Sequence, residues 1–145
     1  MWPFPPPLGS SIPGVCEPES LLPFMNPEAV VQKQLDAYNA RDIEAFMEVW
    51  AEDAQYYAHP STILANGAEA IRERHVLRFQ EPNLHGLLVK RVVLGSTVVD
   101  YETVTRTFPE GPGILHVVAI YEVTGDRISK AWFLIGPKIL DSGDS

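Results

Sequence analysis

The hydrophobic pattern of this chain changes period once, near Leu84, and that change limits the fold more than any other feature. Before it, apolar residues recur three and four apart, as on helix faces; after it, β-branched residues alternate, as along strands. Asn26-Pro27-Glu28 reads as a helix start: a capping side chain, proline in the first turn, and an acid at the positive end of the dipole. That helix is expected to run to about Ala40, with Val30, Val31, Leu35 and Tyr38 in one stripe and Gln34 inside it. Asp42 caps a second helix with Ile43, Phe46, Met47 and Trp50 facing inward. Ala54–His59 reads as a short strand that Pro60 stops, with turn residues after it. Asn66-Gly67 opens a third helix, to about Gln80, in which His75 interrupts the stripe of Ala68, Ile71 and Phe79.

Past Leu84 the alternation predicts strands at about 84–94, 97–108, 114–123 and 127–135. Gly95-Ser96, the run PEGPG and Thr124-Gly125-Asp126 supply the turns between them. Helices followed by an antiparallel meander make an α+β architecture. The expected form is a cone-shaped barrel: three N-terminal helices packed on a curved, mainly antiparallel sheet that encloses a pocket.

The 145 residues suit one domain. A formal net charge of −8 repels phosphate backbones, so nucleic acid is not an expected partner. Neither is a membrane, since no apolar run approaches the roughly 20 residues of a span and no basic amphipathic run is present. Cys16 stands alone, without a disulfide partner or zinc-spaced neighbours. Seven prolines precede Met25, with no Lys or Arg among them, which suits an extended arm over 1–25 better than a signal peptide. The domain is then expected over 26–140, with a short tail at 141–145 and a cytoplasmic location.

Polar groups fall where the pattern asks for apolar ones. Gln34 and His75 sit in helix stripes, and His59 ends its strand with Tyr57 on the same side by period-two alternation. In VVDYETVTRTF, residues 98–108, Val98, Asp100, Glu102, Val104 and Arg106 share one face. Two carboxylates two residues apart are costly to bury unless paired with His59, His75 or an arginine, and such a group has perturbed pKa values. Each residue also has a plain structural reading. Asp100 and Glu102 would be the solvated face of a strand, His75 a core histidine bonded to a backbone carbonyl, His59 the cap of the turn before Pro60, and Gln34 a bridge from helix to sheet. Four such intrusions into faces that must pack on one another favour a polar-lined cavity.

The runs VVQKQLDAYNARDIEAFMEVWAEDAQYYAHP, NGAEAIRERHVLRF and IYEVTGDRISKAWFLIG resemble the nuclear transport factor 2-like (NTF2-like) superfamily, and within it the SnoaL-like and ketosteroid-isomerase-like branch, over about residues 27–136. The resemblance implies a deep pocket used by isomerases, polyketide cyclases, dehydratases, epoxide hydrolases and non-catalytic binders alike. It places His59 where the isomerase has its general base before a proline, Gln34 and His75 where it has pocket tyrosines, and Ala119 near its protonated aspartate, so that donor is missing. Similarity to the limonene epoxide hydrolase branch favours Asp100 and Glu102 facing the pocket, with Val104 and Phe133 where that branch has acids.

The expected function is a cofactor-independent enzyme of isomerase, cyclase or hydrolase type acting on a small, largely apolar molecule. His59 is the expected base with His75, Asp100 and Glu102 around it, and Tyr38, Trp50, Tyr57 and Trp132 supply apolar walls. No metal-ligand pattern of satisfactory geometry accompanies them. The alternative is a binding or assembly module of the same fold; a histidine oriented by an acid favours chemistry, and an isolated histidine on the rim favours binding. Apolar residues on both faces of the strand at 84–94 also predict a homodimer.

Overall fold

Asn26 starts a helix as the sequence predicts: its side chain accepts from the Ala29 amide at 2.7 Å and Pro27 opens helix α1, Pro27–Ala40. The computed structural model describes residues 26–141; the proline-rich arm and residues 142–145 lie outside them. Arg41 ends α1 in the left-handed conformation (φ 56°), and Asp42 caps α2, Ile43–Glu48, through the Ala45 amide. Trp50 does not continue that helix. It begins β1, Trp50–Ala58, because α2 is only six residues long and its last turn closes at Val49.

The segment after Pro60 is also more than a turn. Thr62–Asn66 forms β2, a hairpin partner of β1 with an irregularity in register beside Tyr56 and Tyr57. Four of its five residues are exposed, so it carries little of the apolar patterning by which strands are read. Gly67, at φ 97°, leads into α3, Ala68–Arg78. Then come β3 (His85–Leu94), β4 (Thr97–Phe108), β5 (Gly111–Thr124), β6 (Arg127–Ile135) and the two-residue β7 (Ile139–Leu140).

Among the described residues the sheet has seven strands in the order β2-β1-β6-β5-β4-β3, with β7 on β5. It is mixed, since β1 runs parallel to β6 while its other pairs are antiparallel. It does not close into a barrel: β2 and β3 stand at its two ends and do not pair. The three helices of the described residues precede β3, but α3 follows the β1–β2 hairpin, so they do not form one N-terminal block.

The core lies between helices and sheet, around Val30, Val31, Phe46, Ile71, Val98 and Ile128, each at most 1 % exposed. A second apolar cluster of Leu84, Val104, Phe108, Leu115 and Val117 fills the far end. The cavity lies between the same layers. Among the described residues no helix is long and apolar enough to cross a membrane.

Candidate functional site

Strand β4 sets the chemistry of the cavity. Val98, Asp100, Glu102 and Val104 are buried on one face, against Tyr121, Ala119, Val117 and Leu115 of β5. That face points toward the helices, so the inward orientation of the two acids agrees with the expectation. Their surroundings differ sharply, however.

Asp100 is fully buried and held by a two-pronged contact from Arg91: Nε donates to Oδ1 at 2.7 Å and a terminal guanidinium nitrogen to Oδ2 at 2.8 Å. Arg91 reaches it because β3 is bulged. The register passes from Leu88 opposite Glu102 to Lys90 opposite Tyr101, leaving Val89 extra and turning Arg91 to the inner face opposite Asp100. Strict alternation, which groups Val89 and Val93 with Leu87 on one face, fails at that bulge. Arg91 also donates to Gln32 at 2.9 Å.

Glu102 lines the cavity and is 7 % exposed. Among the described residues it has no ion pair and no side-chain hydrogen bond. Burial raises its pKa, the Asp100 charge raises it further, and Arg91, committed to Asp100, lowers it only in part; the result is about 7. Gly86 makes room for this carboxyl. A Cβ there would stand 3.2 Å from Glu102 Oε1, and Asn39 of α1 brackets the same glycine with two hydrogen bonds, at 3.0 and 2.7 Å.

His75 also lines the cavity, 2 % exposed among the rings of Tyr38, Phe46, Tyr56 and Phe79. Its Nδ1 lies 2.8 Å from the Ile71 carbonyl, one helical turn back. A carbonyl only accepts, so Nδ1 donates, and the neutral ring carries its free lone pair on Nε2. Burial depresses its pKa to about 4, so it is neutral at pH 7. This matches the plain structural reading of His75. Gln34 likewise bridges helix and sheet, accepting from the Tyr121 hydroxyl at 3.2 Å.

Tyr38, Tyr56 and Tyr121 bring three phenols to the cavity wall. Burial raises all three pKa values, that of Tyr38 to about 12, and keeps the hydroxyls protonated as donors. Trp50 lines the cavity too, and its indole N–H is buried without an acceptor among the described residues.

Three expected site residues are elsewhere. His59 is exposed, beyond the end of β1, and does not line the cavity. No side-chain hydrogen bond joins it to Asp100, Glu102 or His75 among the described residues. Tyr57 and Trp132, paired across β1 and β6, stack outside the cavity with ring centroids 5.7 Å apart and planes at 9°. Alternation put Tyr57 with His59, but His59 lies beyond the end of the strand, Tyr57 does not line the cavity, and Tyr56 is the residue that does. The cavity thus gathers Gln34, Tyr38, Trp50, His75 and Glu102 from the expected set, with Asp100 behind Glu102.

The cavity measures about 180 Å³, the share of roughly six waters in the liquid. Leu64, Arg74, Arg78 and Arg106 line both it and a shallower basin of about 600 Å³, so the two meet there. Arg74 and Arg78, one turn apart on α3, look in sequence like an ordinary solvated helix face. Among the described residues no group of three or more His, Cys, Asp or Glu is placed to hold a metal ion.

The family model of the SnoaL-like domain matches residues 31–131, and the chain belongs to that family. No curated protein matches it. Solved structures with NTF2-like and ketosteroid isomerase-like folds superpose on it. An uncharacterized cystatin-fold protein from Novosphingobium aromaticivorans is 25 % identical with a TM-score of 0.70, covering 76 % of this chain and 98 % of its own. A proposed SnoaL-like polyketide cyclase from Shewanella putrefaciens is 14 % identical with a TM-score of 0.68, covering 76 % and 89 %. A protein of ketosteroid isomerase-like fold from Catenulispora acidiphila, crystallised with trimethylamine, is 18 % identical with a TM-score of 0.63, covering 75 % and 85 %.

Proposed function

We propose that this SnoaL-like protein is an enzyme that moves a proton on a small organic molecule held in the cavity, with Glu102 as the acid–base group. One observation carries the reading: a cavity-lining carboxyl with no counter-ion among the described residues and a pKa of about 7. A group that titrates near working pH accepts and returns a proton with little penalty either way. In the step envisaged, the Glu102 carboxylate takes a proton from the carbon next to a carbonyl. The C–H electron pair moves into the new C=C bond and the carbonyl pair onto oxygen. A phenol of Tyr38 or Tyr56 donates a hydrogen bond to that oxygen, and Glu102 returns the proton to the same carbon as the oxygen pair reforms the carbonyl, or to the γ-carbon where the substrate carries a β,γ double bond that shifts into conjugation. This chemistry calls on the chain's own side chains and no cofactor. His59 has no part in it.

The test is hydrogen–deuterium exchange. A panel of small enolisable ketones and esters incubated in heavy water should include members whose α-proton exchanges faster with the protein than without it. Glu102→Gln should lose about a hundred-fold or more of that acceleration. Exchange that persists unchanged in the variant would remove Glu102 from the role.

The isolation of His59 favours a second reading, a binding module of the same fold without turnover. It predicts saturable ligand binding with no exchange in any member of the panel. A homodimer belongs to either reading. Leu87, Val92 and Leu94 of β3 are 56 %, 52 % and 79 % exposed and call for cover, and sedimentation of a stable monomer at micromolar concentration would count against it.

A further inference from the structure

Arg74, Arg78 and Arg106 converge where the cavity meets its basin, three of only 11 Lys and Arg in a chain of net charge −8. Their partners are unequal. Arg106 grips Glu81 with two prongs, Nε to Oε1 at 3.0 Å and a terminal nitrogen to Oε2 at 2.6 Å. Arg78 shares the same carboxylate at 3.5 Å. Arg74 has no carboxylate within 4.0 Å among the described residues, although Glu73 also lines the basin. Its guanidinium lies over the Tyr56 ring, 5.2 Å from the centroid, and its Nε is buried without a hydrogen-bond partner. A guanidinium held in place by an aromatic face, with an unpaired donor and no counter-ion, costs free energy in the empty protein. An anion seated against it recovers that cost.

We infer that the substrate is a carboxylic acid whose carboxylate is received by Arg74 at the mouth of the cavity, with Arg78 and Arg106 adding positive charge, while its apolar body extends inward toward Glu102. The planar fork of arginine matches a carboxylate with two parallel hydrogen bonds, which favours that anion over a point-like one. The tyrosines and phenylalanines beyond the arginines suit the apolar part of such a molecule, and the basin leaves the charged head near water. The assignment rests on the proposed reading that the cavity takes a small organic substrate, but it concerns binding and needs no turnover to be tested.

The experiment is calorimetric titration of the full chain with phenylacetate, with phenylacetamide as its uncharged counterpart, and with inorganic phosphate. Phenylacetate should bind about ten-fold or more tighter than the amide, the value of one charge-assisted hydrogen bond. Arg74→Gln should remove most of that preference, leaving only the weaker pull of Arg78 and Arg106, and Arg74→Lys, which keeps the charge but not the fork, should retain more of it. Equal affinity for acid and amide in the wild type overturns the inference, whether or not the variants fold. So does phosphate binding as tightly as phenylacetate, which marks an adventitious anion site, and so does a preference undiminished by Arg74→Gln. Acid-selective binding without α-proton exchange sustains this assignment while sinking the proton-transfer reading, so the two failures are distinguishable.

Discussion

Asp100 and Glu102 stand two residues apart on one face of β4, yet Arg91 clasps the first with two hydrogen bonds and, among the described residues, the second pairs with no cation. One arginine between two buried carboxylates divides their roles. Asp100 stays paired, and its charge helps to keep Glu102 protonated up to about pH 7.

Asp100→Asn separates those roles. Removing the negative charge and freeing Arg91 both favour the Glu102 carboxylate, so its pKa should fall below 7. The variant should also lose about 2–3 kcal/mol of stability, because Arg91 loses its buried carboxylate and keeps only Gln32 and, at 3.9 Å, the exposed Glu28 carboxylate. A carboxyl titration and a urea denaturation check the two halves.

Glu102→Gln should change how stability depends on pH. Below about 4.5 the carboxyl is protonated in folded and unfolded chains alike, and its contribution is fully present. As pH rises from there to about 7, the unfolded chain ionises while the folded one resists, so stability falls across that window. The glutamine variant should lack this fall and be relatively more stable at pH 8, by as much as ~3 kcal/mol. Parallel denaturation midpoints for both proteins from pH 5 to pH 8 would contradict it.

His75 acts on the other limb. Its folded pKa is depressed from 6.5 to about 4, so its contribution is complete above 6.5 and declines as the unfolded chain takes up a proton below that. His75→Phe, which keeps a ring among Tyr38, Phe46 and Phe79, should flatten the loss of stability between pH 6.5 and 4. Chemical denaturation at the two ends of that range measures it.

Gly86→Ala places a methyl 3.2 Å from Glu102 Oε1 and 3.3 Å from Leu35 Cδ1, where α1 meets β3. It should cost about 1–2 kcal/mol by overpacking and slow any α-proton exchange by displacing the carboxyl. Unchanged stability and exchange would show that Glu102 has room to move.

Local rules carried much of this fold. The caps at Asn26 and Asp42 and the change of period near Leu84 follow from short-range spacing, because each is decided within a few residues, whereas spacing groups Asp100 with Glu102 on one face of β4 without saying that this face points inward. The errors arise where distant chain decides. Period-two alternation groups Tyr57 with His59 but cannot say which side of β1 meets the helices, and the Tyr56 side does. The bulge at Val89 shifts Arg91 onto the inner face, and no pattern in HGLLVKRVVL marks it in advance. Arg74 and Arg78 become part of a site only because the end of β4 brings Arg106 beside α3. Charged residues on an exposed-looking helix carry no local sign of that meeting.

The most direct test of the account is the titration of the Glu102 side-chain carboxyl in the wild-type protein, followed by carbon NMR and assigned by its disappearance in Glu102→Gln. A midpoint near pH 7 is predicted. A midpoint between about 4 and 5, the range of an ordinary glutamate, would mean that the carboxyl is solvated or paired, and the acid–base role assigned to it would fall.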